Sequence, residues 1–137
     1  MSTRSNIGIL NDNGTVTAIY CHWDGGLEHN GMILSKYYSS PEKVIELISG
    51  GDLSFLVPNI NAQKEQNPKN PNLKINLSED AELRTYPGIL ELCQTIENSS
   101  IEYLYLYIGG DWWYWDIYRT ERFTLKHLKT GIKYLEK

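Results

Sequence analysis

The chain has 137 residues, with 13 Lys or Arg against 17 Asp or Glu and a net charge of −4. The hydrophobic fraction of 41% and the charged fraction of 22% are ordinary for a globular protein and exclude a disordered chain. The acidic balance argues against non-specific nucleic-acid binding, which needs a cationic surface. We expect one globular domain over residues 1–137, and no membrane span, because the apolar runs are short.

The cysteine content and the N-terminal residues indicate the cellular compartment of the protein. Cys21 and Cys93 are the only two cysteines, and MSTRSNIGIL lacks a secretory pattern. Both features favour reduced thiols and a cytoplasmic location. The Cys and His spacings match no zinc pattern, and neither Gly-Gly pair fits a phosphate loop, so we predict no metal and no cofactor.

The first predicted element is a β-hairpin over about residues 4–23. Asn13-Gly14 is a strong hairpin signal, because both residue types tolerate positive φ. With these two residues as the loop, Ile7 lies opposite Tyr20. The same register puts Arg4 opposite Trp23, where the guanidinium can stack on the indole.

Three helices and one irregular segment are predicted between the two hairpins. A helix over about 27–38 follows Asp24-Gly25-Gly26, and a capping box of Ser39 and Glu42 begins the next helix. Residues 58–76 hold many Asn and Pro and predict a flexible loop. A helix opened by Thr85-Tyr86-Pro87 then carries an apolar stripe at helical spacing, made of Ile89, Leu92, Cys93 and Ile96.

A second hairpin, over about residues 101–118, is the strongest prediction. Gly109-Gly110 as a two-residue loop puts Leu106 opposite Trp113 and Leu104 opposite Trp115. Because strand side chains alternate, one face is apolar and suits a core: Leu104, Leu106, Ile108, Trp113, Trp115 and Ile117. The other face carries mostly rings with polar tips, which suit a helical cover or a partner: Tyr103, Tyr105, Tyr107, Trp112, Tyr114, Asp116 and Tyr118.

The elements together indicate an α+β fold. The two hairpins and a short strand near residues 53–57 predict an antiparallel sheet, with about four helices packed mainly on one face. The last helix begins at Thr124. The aromatic face of the second hairpin is then the open face, the contact of a homodimer, or a face that helices cover.

Several motifs resemble a known family. They include Ile7-Gly8-Ile9, Cys21-His22-Trp23-Asp24-Gly25, Pro41-Glu42-Lys43-Val44 and Gly51-Asp52-Leu53-Ser54. With Glu102-Tyr103-Leu104-Tyr105, they resemble small proteins encoded by phages and prophages, while residues 58–98 do not match closely. The resemblance implies a phage accessory protein, and such proteins often antagonise host defence, as anti-CRISPR proteins do. It implies no particular biochemical activity.

The segment Cys21-His22-Trp23-Asp24 is the candidate for chemistry. Cys21 and His22 point to opposite faces of a strand, so they do not form a nucleophile–base pair. His22 and Asp24 share a face, which leaves a weak hydrolase hypothesis in which Asp24 orients His22. Structural use of these residues in a turn is the plainer interpretation. His22, Asp24 and His29 as metal ligands lack a recognised spacing.

We predict a non-enzymatic protein that binds and inhibits a host protein, such as a CRISPR effector, through an aromatic-rich surface. Tyr and Trp are enriched at interface hot spots, and the absence of lysine from the second hairpin argues against direct nucleic-acid binding. The predicted binding residues are Arg4, His22, Trp23, Asp24, Tyr103, Tyr105, Tyr107, Trp112 and Tyr114. The alternative is a small-ligand protein that binds a nucleotide signal at the cluster of Arg4, His22, Trp23 and Asp24.

Overall fold

The computed structural model describes residues 3–59, 84–120 and 122–135. In these ranges, six strands form one sheet in the order β3-β2-β1-β4-β5-β6. The strands are β1 (Ser5–Leu10), β2 (Val16–Cys21), β3 (Arg84–Tyr86), β4 (Tyr103–Ile108), β5 (Asp111–Asp116) and β6 (Lys126–His127). The α+β class is confirmed. The predicted loop at 58–76 lies outside the described residues except for its first two positions.

Within the described residues, a π-helical turn and four α-helices accompany the sheet. The turn Leu27–Gly31 continues directly into the first helix, and the helices are α1 (Met32–Tyr37), α2 (Pro41–Ser49), α3 (Ile89–Glu97) and α4 (Leu128–Leu135). Ser40, not Ser39, caps α2 by accepting a hydrogen bond from the Lys43 backbone N–H at 3.4 Å. None of the helices in the described ranges is long and apolar enough to cross a membrane.

The register of the first hairpin differs from the prediction by one residue. The backbone N–H of Asn11 donates to Thr15 and that of Gly14 donates to Asn11, at 2.8 and 2.9 Å. Gly14 has φ of +88°, so the loop is a turn followed by a left-handed residue instead of a two-residue loop. Ile7 therefore pairs with Ile19. The expected pairings of Ile7 with Tyr20 and of Arg4 with Trp23 are wrong.

The register of the second hairpin is confirmed. Leu106 pairs with Trp113 and Leu104 with Trp115. Gly109 and Gly110 have φ of +59° and +92°, the left-handed conformations that a two-residue turn of this kind requires. Arg84–Tyr86 pairs with β2 as the edge strand β3, so the helix expected to open at Thr85 begins only at Ile89.

The two hairpins join through a parallel pair of strands. Residues Ser5–Ile9 of β1 lie beside Tyr103–Tyr107 of β4 in the same direction, while the other four pairs of strands β1 to β6 are antiparallel. The sheet is therefore mixed, in contrast to the antiparallel sheet that was expected. Parallel neighbours need a long crossover, and the helical segments between the hairpins provide it.

Each face of the sheet carries its own apolar core. The π-helical turn, α1, α2 and α4 pack on the first face, which bears Ile7, Ile19, Tyr105 and Tyr114. Among the helices of the described ranges, α3 alone packs on the second face, through Leu92, Cys93 and Ile96. The expectation that helices pack mainly on one face agrees with this arrangement. The candidate site lies on this second face, beside α3.

Candidate functional site

The aromatic face of the second hairpin is buried, so the predicted open binding surface is wrong. Tyr105 is fully buried, and Tyr107, Trp112 and Tyr114 are each no more than 6% exposed. The helices on the first face cover all four rings. Tyr103 is partly buried and stacks on Tyr105 with ring centroids 6.1 Å apart. The alternative that helices cover the aromatic face of the second hairpin is the one observed.

Backbone carbonyl groups accept hydrogen bonds from the polar atoms of the buried rings in this core. The Tyr105 hydroxyl donates to the Gly25 carbonyl at 2.6 Å, and the Trp112 indole donates to the Tyr38 carbonyl at 2.8 Å. The Tyr38 hydroxyl donates to the Val57 carbonyl at 2.7 Å. A buried ring with a satisfied polar tip stabilises a core. The sequence pattern does not reveal these acceptors, because they lie in distant loops.

The predicted site residues Arg4 and His22 meet through a third residue, Tyr20. The Tyr20 hydroxyl forms a hydrogen bond with His22 Nδ1 at 2.7 Å. Burial raises the pKa of Tyr20, while the charge of Arg4 and a hydrogen bond from it act in the opposite direction. The Trp23 indole packs edge-on against His22 at 4.6 Å and is 45% exposed.

The other members of the Cys-His-Trp-Asp segment have structural roles. Asp24 is exposed and adopts a left-handed conformation with φ of +56°, and its carbonyl accepts the Asn30 N–H at 3.2 Å. Cys21 is buried beside the Asn30 side chain, at 3.3 Å, and burial raises the pKa of its thiol to about 11. His22 Nδ1 is hydrogen-bonded to Tyr20 at 2.7 Å, so it is Tyr20, and not Asp24 as the hydrolase hypothesis assumed, that orients this ring nitrogen.

An open groove of about 280 Å³ lies on the second face, between the sheet and α3. Tyr20, Arg84 and Tyr86 come from β2 and β3, and Asn6 comes from β1. The wall from α3 and the segment after it consists of Thr95, Ile96, Ser99 and Ile101. Asp52 also lines the groove, which therefore combines aromatic rings, hydroxyl groups, a carboxamide, a guanidinium and a carboxylate.

An ion pair between Arg84 and Asp52 forms one end of the groove. Arg84 Nη2 donates to both carboxylate oxygens of Asp52, at 2.6 and 2.7 Å. Asp52 Oδ1 also accepts the backbone N–H of Tyr20 at 2.8 Å, and its side chain is only 9% exposed. Arg84 is half exposed. Asp52 thus fixes the position of the guanidinium through Nη2 alone, and Nε and Nη1 of Arg84 take no part in this pair.

Asn6 supplies a buried carboxamide to the groove. Its exposed fraction is 7%, and within the described ranges its side chain makes no hydrogen bond. By contrast, the buried amide of Asn30 on the opposite face donates to Ser5 Oγ and Cys21 Sγ. Buried polar groups in folded proteins are almost always hydrogen-bonded. Among the described residues, the Asn6 side chain is therefore an exception to this rule, and a bound ligand could supply its partner.

Sequence reasoning missed most of this groove. It singled out Arg4 and His22, which contact Tyr20, but not the lining residues Asn6, Asp52 or Arg84. The one available signal was a polar Asn6 inside the apolar strand Ser5–Leu10. Arg84 and Asp52 are 32 residues apart and carry no local signal.

The comparisons with known proteins give no further guide to this site. No protein family, curated protein or solved structure matches the chain. In residues 3–59, 84–120 and 122–135, no three His, Cys, Asp or Glu side chains are placed to hold a metal ion.

Proposed function

We propose that this protein is a non-catalytic binding protein that takes a small anionic ligand into the groove on the second face of the sheet. The observation that carries the proposal is Arg84, a half-exposed guanidinium fixed by Asp52 at the groove's end. An arginine fixed in this way binds carboxylate or phosphate with little loss of side-chain entropy. This develops the small-ligand alternative that the sequence left open.

The size and chemistry of the groove suit a ligand with both an anionic and a planar part. Its volume of about 280 Å³ is near the lower limit of the roughly 300–1,000 Å³ typical of ligand sites. Tyr20 and Tyr86 offer ring surfaces, and Thr95 and Ser99 offer hydroxyl groups. Burial raises the pKa of both Cys21 and Cys93 thiols, so neither is an activated nucleophile.

A thermal-shift panel tests the proposal. The probes are inorganic phosphate, ribose 5-phosphate and the four nucleoside monophosphates. A ligand at a hundred times its Kd adds about 2.7 kcal/mol, and each kcal/mol raises Tm by about 2–8 °C in domains of this size range. We therefore expect a shift on the order of 10 °C from at least one of these anions.

Two arginine variants make this panel specific to the groove. Arg84→Gln removes the proposed anion contact. Arg119→Gln is the matched control, because Arg119 also pairs with an aspartate, Asp116, but lies beyond β5 and is 82% exposed. The shift should disappear in Arg84→Gln and persist in Arg119→Gln. No shift with any probe, or equal shifts in both variants, would overturn the proposal.

A second candidate is the protein-binding function, with a smaller surface than the sequence predicted. Trp23 and Phe55 are 45% and 42% exposed. Their segments are neighbours, since the Trp23 N–H donates to the Ser54 carbonyl at 2.9 Å. Exposed aromatic residues in adjacent segments are typical of interface hot spots. The resemblance to phage proteins suggests a host defence protein as the partner.

Affinity purification from host cells tests this second candidate. We expect one stoichiometric partner with the wild-type chain and its loss with Trp23→Ala. Tyr118→Ala is the control, because Tyr118 is a large aromatic residue that is 64% exposed after β5. Failure to recover a stoichiometric partner, or recovery that Trp23→Ala leaves unchanged, would exclude this surface.

A further inference from the structure

The side-chain amide of Asn6 indicates which class of ligand the groove binds. Asn6 pairs with Tyr20 in the β1–β2 ladder, so the two side chains lie next to each other on the second face. The amide is nine-tenths buried, lines the groove, and has no hydrogen-bonding partner in the described part of the chain. A buried amide without a partner destabilises the empty protein, so its presence here is explained if a ligand supplies the missing partner.

The chemistry of a carboxamide narrows the class of ligand. It offers a donor and an acceptor side by side, and this pattern matches the edge of a nucleobase, as in the bidentate pairing of Asn with adenine. A simple phosphate or carboxylate would use only the donor. The ring of Tyr20 next to Asn6 provides a surface on which a base can stack, and such stacking is sequence-tolerant.

The guanidinium of Arg84 and the pair formed by Tyr20 and Asn6 are placed to contact different parts of one ligand. Ala18 pairs with Arg84, and Tyr20 follows two residues later on the same face of β2. Arg84 in β3 is thus a diagonal cross-strand neighbour of Tyr20 in β2. Asn6 in β1 lies on the opposite side of Tyr20. An anionic group at Arg84 and a planar base at Tyr20 and Asn6 would be joined by a short linker, such as a pentose.

We propose that the groove binds a nucleotide, with the Asn6 carboxamide on the edge of the base and the Arg84 guanidinium on the phosphate. The inference rests on the proposed anion-binding function and adds the identity of the ligand. Asn6 determines specificity, whereas Arg84 provides general anion affinity. Removing Asn6 therefore affects only ligands that carry a base.

Calorimetric titration with base-containing and base-free probes tests this assignment. The four nucleoside monophosphates are compared with ribose 5-phosphate, which keeps the sugar and phosphate but lacks the base. We expect at least one nucleotide to bind tenfold or more tightly than ribose 5-phosphate. Asn6→Ala should remove that difference and leave ribose 5-phosphate binding unchanged. Asn98→Ala is the control, because Asn98 is an exposed asparagine at the end of α3 and does not line the groove.

The outcomes separate this inference from the function on which it rests. If ribose 5-phosphate and all nucleotides bind equally, the anion site stands and the base assignment is wrong. A nucleotide preference that survives in Asn6→Ala also overturns it. If no probe binds at all, both proposals fail. Urea unfolding of ligand-free Asn6→Ala should show a midpoint equal to or above that of wild type, because the variant loses no side-chain hydrogen bond to any residue that the structure describes; a lower midpoint would contradict the role assigned to Asn6.

Discussion

Arg84 Nη2 lies 2.6 and 2.7 Å from the two carboxylate oxygens of Asp52, although the residues are 32 positions apart. Asp52 also accepts the backbone N–H of Tyr20 in β2. One carboxylate therefore ties the segment after α2 to β2 and to the start of β3. The same contact fixes the cation of the groove, so stability and ligand binding depend on a shared residue.

Asp52→Asn should lower the free energy of unfolding by about 1–3 kcal/mol, because it weakens a charge-assisted pair and disturbs a buried acceptor. Arg84 is half exposed, which keeps the effect below that of a fully buried pair. Asp116→Asn is the control, since the Asp116–Arg119 pair spans 3.7 Å and its arginine is 82% exposed. That variant should change stability by less than about 1 kcal/mol. Equal losses in urea unfolding would show that the Arg84 pair has no special role.

The two buried asparagines should respond differently to truncation. Asn30→Ala removes hydrogen bonds to Ser5 and Cys21 and should cost about 1–3 kcal/mol. Asn6→Ala removes none in the described chain and should be neutral or stabilising. Chemical denaturation of both variants without ligand measures the contrast. A loss of stability in Asn6→Ala as large as in Asn30→Ala would mean that Asn6 is a structural residue.

Gly131→Ala should destabilise the protein in spite of the better helix propensity of alanine. A Cβ at Gly131 would lie 2.6–2.7 Å from the buried ring of Tyr114, so α4 would have to move away from the sheet. Such overpacking costs about 1–3 kcal/mol, against a gain of roughly 1 kcal/mol from propensity. The exposed neighbour Thr130 is the control, and Thr130→Ala should leave Tm nearly unchanged. An increased Tm for Gly131→Ala would contradict the close contact.

Stability should fall at alkaline pH. Burial raises the pKa of Tyr38 to about 12 and that of Cys21 to about 11, whereas the unfolded chain titrates near 10 for Tyr and about 8.5 for Cys. Between about pH 9 and 12 the unfolded chain has lost protons that the folded chain keeps, so unfolding becomes easier as pH rises. Below about pH 8 these groups add no pH dependence. Urea unfolding from pH 7 to 11 measures the fall. A flat profile would contradict the burial of these groups.

Both thiols should resist modification in the folded protein. Cys21 and Cys93 are 0% and 3% exposed, and burial raises the pKa of Cys93 to about 12. Few thiolates form at pH 8, and reagents cannot reach them. A chromogenic disulfide reagent should therefore react with neither cysteine in native buffer and with both in denaturant. Rapid reaction of one thiol in native buffer would show that its core opens.

The fold was predicted most accurately from the sequence where a short segment determines its own backbone geometry. Gly109-Gly110 fixes a two-residue loop and hence the register of β4 and β5. Asn13-Gly14 fits two loop types equally well, and the structure selects the longer one because Gly14, not Asn13, takes the left-handed conformation. One residue of difference moved Ile7 opposite Ile19 instead of Tyr20.

The site was less predictable because its residues meet only through tertiary structure. Arg84 reaches Asp52 because β3 pairs with the edge of β2, and no spacing in the sequence indicates that pairing. The aromatic face was ambiguous for a related reason. Whether Tyr105 is exposed depends on a distant acceptor, the Gly25 carbonyl, and on helices that pack above it.

The most direct test is an NMR titration of the ¹⁵N-labelled protein with each of the four nucleoside monophosphates. We expect at least one nucleotide to produce saturable shifts at the amides that surround the groove, including Tyr20, Arg84 and Ser99, and we expect these shifts to be lost in Arg84→Gln but not in Arg119→Gln. Asp111 and His127 lie at a different pocket, near the β4–β5 turn, and should not shift. Shifts centred on Asp111 and His127, or no saturable shifts at all, would contradict the assignment of the groove as the binding site.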